Sequence, residues 1–231
     1  MKYIWLLLLL SFLTFSFAVD YSVESLTVEN VIFPDGSMLV HERIEYQFSS
    51  DYRGLSRNIP QGRFVEIEDV RIWTEGLPVQ KNHFLTQNNR AFDVQVWLIP
   101  YKSTEQINYL THPTVVLHIM YTAKYVLEKG VDCAQLFRQF LGDGWNVPVN
   151  ALKVKYVFPE NAIPNQYYLH ADFANDSKLV ENVFTLNAEI VSSHTYGEVR
   201  FVFNVPIDTV YTVKNDSLSK GEIESVEFNY E

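Results

Sequence analysis

Glu42 is the residue in this chain whose placement most demands a chemical partner. It falls on the apolar side of an alternating run from Met38 to Phe48, in line with Met38, Val40, Ile44, Tyr46 and Phe48. His41, Arg43, Glu45 and Gln47 fall on the other side. A carboxylate on a core-facing stripe must be paired, or its desolvation is costly. Two arginines follow within reach along the chain, Arg53 and Arg57. A guanidinium offers a planar fork that matches a carboxylate in two parallel bonds. Glu42, Arg53 and Arg57 therefore form the candidate cluster. Its structural use is a pin that fixes the loop ending at Pro60 to the strand. Its functional use would be an anion or carboxylate site at a sheet edge.

Other chemistry has weaker support. The histidines stand at His41, His83, His112, His118, His170 and His194, with no pair at ligand spacing and no cysteine partner, so no metal is expected. Gly-x-Ser-x-Gly and Ser-x-x-Lys are absent, as are glycine-rich phosphate loops, and no catalytic residue or cofactor is assigned. A carboxylate pair of glycosidase type could be assembled only by the fold. Cys133 is the single cysteine, which excludes an internal disulfide and reads as a small buried residue. Trp97, Tyr167, Tyr168, Tyr196 and Tyr211 could build a sugar or peptide platform, although ordinary core and cross-strand packing is the favoured reading. Asn175-Asp-Ser177 and Asn215-Asp-Ser217 match the glycan acceptor pattern.

The elements that must position these residues read mostly as strands. Apolar and polar residues alternate with period two over Tyr21–Phe33, Met38–Phe48, Phe64–Trp73, Pro78–Leu85, Ala91–Ile99, Thr104–Leu110 and Thr114–Val126. Further runs follow at Val149–Phe158, Gln166–Ala171, Lys178–Leu186, Glu198–Val205 and Glu222–Tyr230. Pro34-Asp35-Gly36-Ser37 predicts the turn of a first hairpin. One segment has helical spacing: Leu136, Phe137, Phe140 and Leu141 share a face, Asp132 can cap the start, and Gly142 suits the end. The expected fold is all-β, an antiparallel β-sandwich of two stacked sheets with one short amphipathic helix near 132–141. Residues 19–231 are expected to form a single domain.

The N-terminus predicts the compartment. Lys2, the apolar run Ile4–Phe17 and the small-residue pattern ending at Ala18 describe a secretory signal peptide over residues 1–18. The rival reading is an uncleaved anchor helix. No later apolar run approaches the roughly 20 residues of a spanning helix. The chain has a net charge of −10 with its cations dispersed, so nucleic acid and anionic membrane surfaces are poor partners.

The residues also carry a family resemblance. Asp35-Gly36-Ser37, Val40-x-Glu42 and Tyr46-x-Phe48, followed by Arg53-Gly54-Leu55-Ser56-Arg57-Asn58-Ile59-Pro60, resemble the N-terminal domain of the predicted membrane proteins of domain of unknown function 2207. A second block agrees: Tyr121 and Tyr125, Asp132–Leu136, then Gly142-Asp-Gly-Trp145-Asn-Val-Pro148 and a strand closing at Phe158-Pro159. The resemblance is departed from at Arg138, where the family usually carries tryptophan. Family members also continue into transmembrane helices, so this chain is expected to be a secreted relative or an ectodomain whose anchor lies outside it. The resemblance implies a location and a fold rather than a reaction. The expected function is a non-catalytic binding or sensing domain on the extracytoplasmic side of the cell envelope. It would recognise a protein, peptide or glycan, with membrane association only through an anchor beyond this chain. The alternative is an extracytoplasmic hydrolase of glycan or peptide.

Overall fold

The computed structural model describes residues 21–230 apart from 61, 63, 88–90 and 101; the side chains of 84–87 are also outside the description. The expected signal peptide lies outside the described residues. Among the described residues, fifteen strands and one helix follow in chain order. The strands are β1 Tyr21–Ile32, β2 Met38–Phe48, β3 Gly54–Pro60, β4 Glu66–Glu75, β5 Lys81–Gln87, β6 Ala91–Trp97 and β7 Thr114–Lys124. They continue with β8 Leu127–Lys129, β9 Ala134–Leu141, β10 Leu152–Val157, β11 Gln166–Ala171, β12 Asp176–Val180, β13 Val183–Ala188, β14 Gly197–Phe203 and β15 Thr212–Lys214. The helix, α1, is Lys220–Phe228.

The chain is all-β in class, with three sheets rather than two. The largest has seven strands in the order β12-β13-β10-β1-β2-β7-β4; a five-stranded sheet runs β11-β14-β9-β8-β15; a three-stranded sheet runs β3-β6-β5. The pairing departs from purely antiparallel at two places, β1 with β10 and β8 with β15. Both join segments far apart in sequence, so no hairpin constrains their direction. Rings lock the two larger sheets together. Tyr156 and Phe184 of the seven-stranded sheet meet Phe201 of the five-stranded one with centroids 4.9 and 5.1 Å away, and all three are fully buried. Such tilted and edge-on contacts contribute about 0.5–1.5 kcal/mol each beyond burial. Leu55, Ile59, Val94 and Val96 bring the three-stranded sheet into the same apolar cluster.

The first hairpin forms as its sequence specifies. Gly36 has φ +85°, the left-handed conformation a glycine adopts at no steric cost, and Asp35 accepts from the Ser37 backbone and hydroxyl through Oδ1. Those two bonds hold the Asp35 carboxyl below its usual range. Thr104–Leu110 pairs only through a bridge between Ile107 and Tyr52. Lys178–Leu186 is two strands, turning at Glu181 with φ 54°.

The helix expected near 132–141 is the strand β9, and the strand expected over Glu222–Tyr230 falls largely in α1. The spacing misleads because β9 bulges against β14: Gly197 pairs Leu141 while Glu198 pairs Gln139, leaving Phe140 as the extra residue, so Phe140 and Leu141 can both turn inward. Gly197 makes this possible, since a Cβ there would lie 2.6 Å from the Phe140 ring. Phe137, which a helix would have buried, is 38% exposed. At the C-terminus the overlooked signal is a capping pattern. The Ser219 hydroxyl accepts from the Glu222 backbone, and Asp132 Oδ1 accepts from the Lys220 backbone at 2.9 Å. Asp132 does serve a helix start, but that of α1. Ile223 then packs with Cys133, Val202 and Leu218 in a second small core.

Candidate functional site

Adjacent residues on β2 lead to two different sites, one inside the fold and one outside. Glu42 points inward and is 2% exposed. Arg57 on β3 donates from Nε to Glu42 Oε2 at 2.7 Å and from Nη2 to Oε1 at 3.3 Å. The fork is two-pronged and both side chains are buried, so the pair ties the three-stranded sheet to the seven-stranded one. Arg57 also donates to the Asn58 carbonyl and lies over the Trp145 ring at 4.9 Å. Three buried tyrosines stand close by. Burial pushes the Tyr121 phenol up to about 12 and raises Tyr46 and Tyr156 as well. At Tyr46 burial is the largest effect; Arg57 opposes it and Glu42 adds to it.

Arg53 does not join them. Its guanidinium donates to the Ser103 carbonyl at the surface, and it borders an open groove with Lys102 and Trp97. The structure therefore brings together Glu42 and Arg57 and leaves Arg53 apart. The loop between the two arginines is the start of a strand, not free chain. Gly54 allows it to approach β6 so closely that a Cβ would lie 2.2 Å from the Val96 carbonyl oxygen.

His41 points outward from the same strand. Its Nε2 lies 3.0 Å from Nδ1 of His118 on β7, and His118 Nε2 lies 2.8 Å from Oε1 of Glu75 on β4. These distances accommodate a chain in which His41 donates to His118 and His118 donates to Glu75. Trp73 stacks on His118 with a centroid distance of 4.7 Å and planes 4° apart, and His41 stacks on both rings. The imidazole of His41 is held below its ordinary value, first by burial and then by the His118 beside it. An imidazole oriented by a carboxylate is the arrangement of a general base. Among the described residues, no serine, threonine or cysteine side chain is hydrogen-bonded to either ring. Trp73 is 39% exposed, so the stack forms a shelf on the outer face of the sheet.

Sequence reasoning missed this shelf because its rings, at 41, 73 and 118, are 32 to 77 positions apart and meet only through the β2-β7-β4 register, in which Arg43 and Trp73 flank His118. The alternation that puts His41 outward was visible; its neighbours were not. A second missed cluster ties down α1. His170 Nδ1 lies 3.1 Å from Glu198, and its Nε2 lies 2.6 Å from Glu227. Arg200 Nε approaches Glu227 Oε1 at 2.6 Å without hydrogen-bond alignment, an ion contact only. Among the described residues, no group of three or more metal-ligating side chains is placed to hold an ion, and no helix is long and apolar enough to cross a membrane.

The family described as predicted membrane protein (DUF2207) N-terminal domain matches residues 22–203. No curated protein matches the sequence. Among solved structures, the chain is similar to yeast LTA4 hydrolase in complex with bestatin, with TM-score 0.46 and 8% identity over 78% of this chain and 28% of that one. It is similar to an M1 zinc metallopeptidase from Deinococcus radiodurans, with TM-score 0.42 and 10% identity over 79% and 42%. A putative protease from Parabacteroides distasonis gives TM-score 0.41 and 9% identity over 80% and 40%. The chain thus spans less than half the length of each. These likenesses concern the arrangement of strands and say nothing of chemistry.

Proposed function

This chain belongs to the family of DUF2207 predicted membrane protein N-terminal domains, and on that premise we propose that it is a non-catalytic binding or sensing domain held on the extracytoplasmic side of the membrane. The N-terminal leader pattern and the family's description support the location. The apolar cluster shared by all three sheets supports one binding unit over residues 19–231.

The observation that carries the binding role is the Trp73–His118–His41 shelf. Trp73 is 39% exposed and His41 partly so, His118 is buried between them, and Arg43, Glu45 and Glu75 lie around the stack. Stacked rings with polar neighbours suit the flat face of a sugar or peptide group, with ring stacking for affinity and the charged rim for orientation.

The test is a panel of surface polysaccharides and peptides offered to the chain, read by calorimetry and by product analysis together. Saturable binding without turnover is expected, with Trp73→Ala losing binding while thermal stability holds. Turnover of a bound glycan or peptide, abolished by His118→Ala, would establish the hydrolase instead.

A further inference from the structure

We propose that the outer face of the seven-stranded sheet takes a linear polysaccharide with a carboxylate on alternate sugars, laid across the strands from Trp73 to Lys153. This inference rests on the Trp73 shelf as a binding surface and names the ligand class it serves. Strand register aligns the residues. Trp73 on β4 stands opposite His118 on β7, His118 opposite Arg43 on β2, Arg43 opposite Thr27 on β1, and Thr27 opposite Lys153 on β10. Residues paired in this way share a face, so their side chains form one row perpendicular to the strands. Neighbouring strands lie about 4.8 Å apart, so the row is about 19 Å long, with Arg43 about 10 Å from either end. The next row on the same face brings Lys155 beside Lys153 and Arg71 beside Trp73. Lys178 on β12 is level with Lys155 through Thr185.

These cations are scattered in the sequence and gathered only by the sheet. Glu29 and Asp176 are the only carboxylates in the two rows, although the chain as a whole has a net charge of −10. Lys153, Lys155, Lys178 and Arg71 are exposed, and none has a carboxylate within ion-pair distance among the described residues. Lysine on an edge strand blocks unwanted pairing, but β10 is flanked by β1 and β13, so that role does not account for Lys153 and Lys155. Unpaired cations on one face of an acidic chain attract an anion to that face. The spacing selects which anion. The interval of about 10 Å from the lysines to Arg43 is that of two pyranose rings in an extended chain, so acids on alternate sugars meet both. Glu45 and Glu75 fix Arg43 through Nη1 and Nε, which leaves Nη2 for the ligand. Thr27, between the two cations, offers a hydroxyl to the intervening sugar. At one end β4 is the sheet edge, so the Trp73 ring face turned away from His118 meets no further strand and can stack on a terminal sugar. At the other end an open groove of about 880 Å³, bordered by Lys153, Asn187 and Ile190, continues the row. An extended peptide gains its affinity by pairing with a strand edge, and across the strands it finds none, which favours a glycan over an acidic peptide.

The test offers the whole chain a hyaluronan hexasaccharide, in which acidic and neutral sugars alternate, and follows binding by calorimetry. The same oligosaccharide with its carboxylates reduced to alcohols and a poly-glutamate of equal charge run beside it. Saturable binding of the first is expected, weakening as salt is raised, with the other two bound about tenfold less tightly or worse. Lys153→Ala combined with Lys155→Ala should weaken binding about tenfold and leave thermal unfolding unchanged, since both side chains are exposed. Trp73→Ala should weaken it several-fold. Equal binding of the reduced oligosaccharide, equal or tighter binding of poly-glutamate, or full binding by the lysine variant would overturn the proposal. Failure of the function proposed above reads differently. Lysine-dependent binding that Trp73→Ala leaves untouched would remove the shelf, and with it the row as one site. No binding of hyaluronan by a chain whose Trp73-dependent binding of another glycan or peptide persists would remove the acidic polysaccharide and keep the shelf.

Discussion

His41 and Glu42 are neighbours in sequence, yet one anchors a weak surface chain and the other a strong internal tie. Both are ionisable, both are bound to a partner on a distant strand, and both partner contacts measure 3.0 Å or less. The pleat of β2 sends them to opposite faces. Inside, Glu42 and Arg57 have lost water and depend on each other. Outside, Glu75 at the end of the histidine chain is still 56% exposed, so solvent competes for its contact with His118. Comparable geometry therefore carries very different energy. The buried pair is structural because it cannot be released; the outer shelf can exchange partners at little cost, which is what a recognition surface needs.

The largest expected effect is at Glu42. Glu42→Gln leaves Arg57 as an uncompensated buried charge and should cost about 3–5 kcal/mol, read as a lower midpoint in urea unfolding. Glu42→Leu together with Arg57→Leu should cost much less than the two single changes added, because neither partner is then stranded. Additive losses would mean that the pair is not coupled, and the contrast with the surface would collapse.

A smaller effect is expected at high pH. The unfolded phenols ionise near 10, whereas folded Tyr121 is held up to about 12, so the folded state keeps its proton longer. Stability is then fully present below pH 10 and falls as pH rises from 10 toward 12, by about 1.4 kcal/mol per pH unit for such a tyrosine. Phenolate absorbance and near-ultraviolet circular dichroism should change together. Ionisation of all fourteen tyrosines near pH 10 with the fold intact would show that the interior is wetter than its burial indicates.

The smallest effect belongs to the outer shelf. Glu75→Gln should change stability by only about 0–1 kcal/mol. His118→Ala should move the His41 titration upward toward its ordinary value, since the His118 charge and some of the burial are removed. Imidazole resonances in NMR would follow it. A stability loss matching that of Glu42→Gln would place both sites in the same energetic class.

How much was legible in the sequence varied with the range of the interaction. The first hairpin was, because Pro34-Asp35-Gly36-Ser37 is a local turn and the β2 alternation is unbroken. That Glu42 faces inward followed from the same alternation. The choice of Arg57 over Arg53 did not, because it depends on where β3 lies against β2. The strand β9 was hidden by a bulge whose cause, Gly197, stands 57 residues from Phe140. The start of α1 was legible in Ser219 and Glu222, but the strand-like spacing of its apolar residues competed with it.

By itself the sequence determined the all-β class, the family, the first hairpin and the side of the strand on which each β2 residue stands. These depend on period-two alternation and on turn residues, which act over a few positions. Only the tertiary structure decided the three-sheet division, the partner of Glu42, the histidine shelf and the row of cations leading from it. Each of those depends on strand register between distant segments, and register is set by packing across the whole core rather than by any local run of residues.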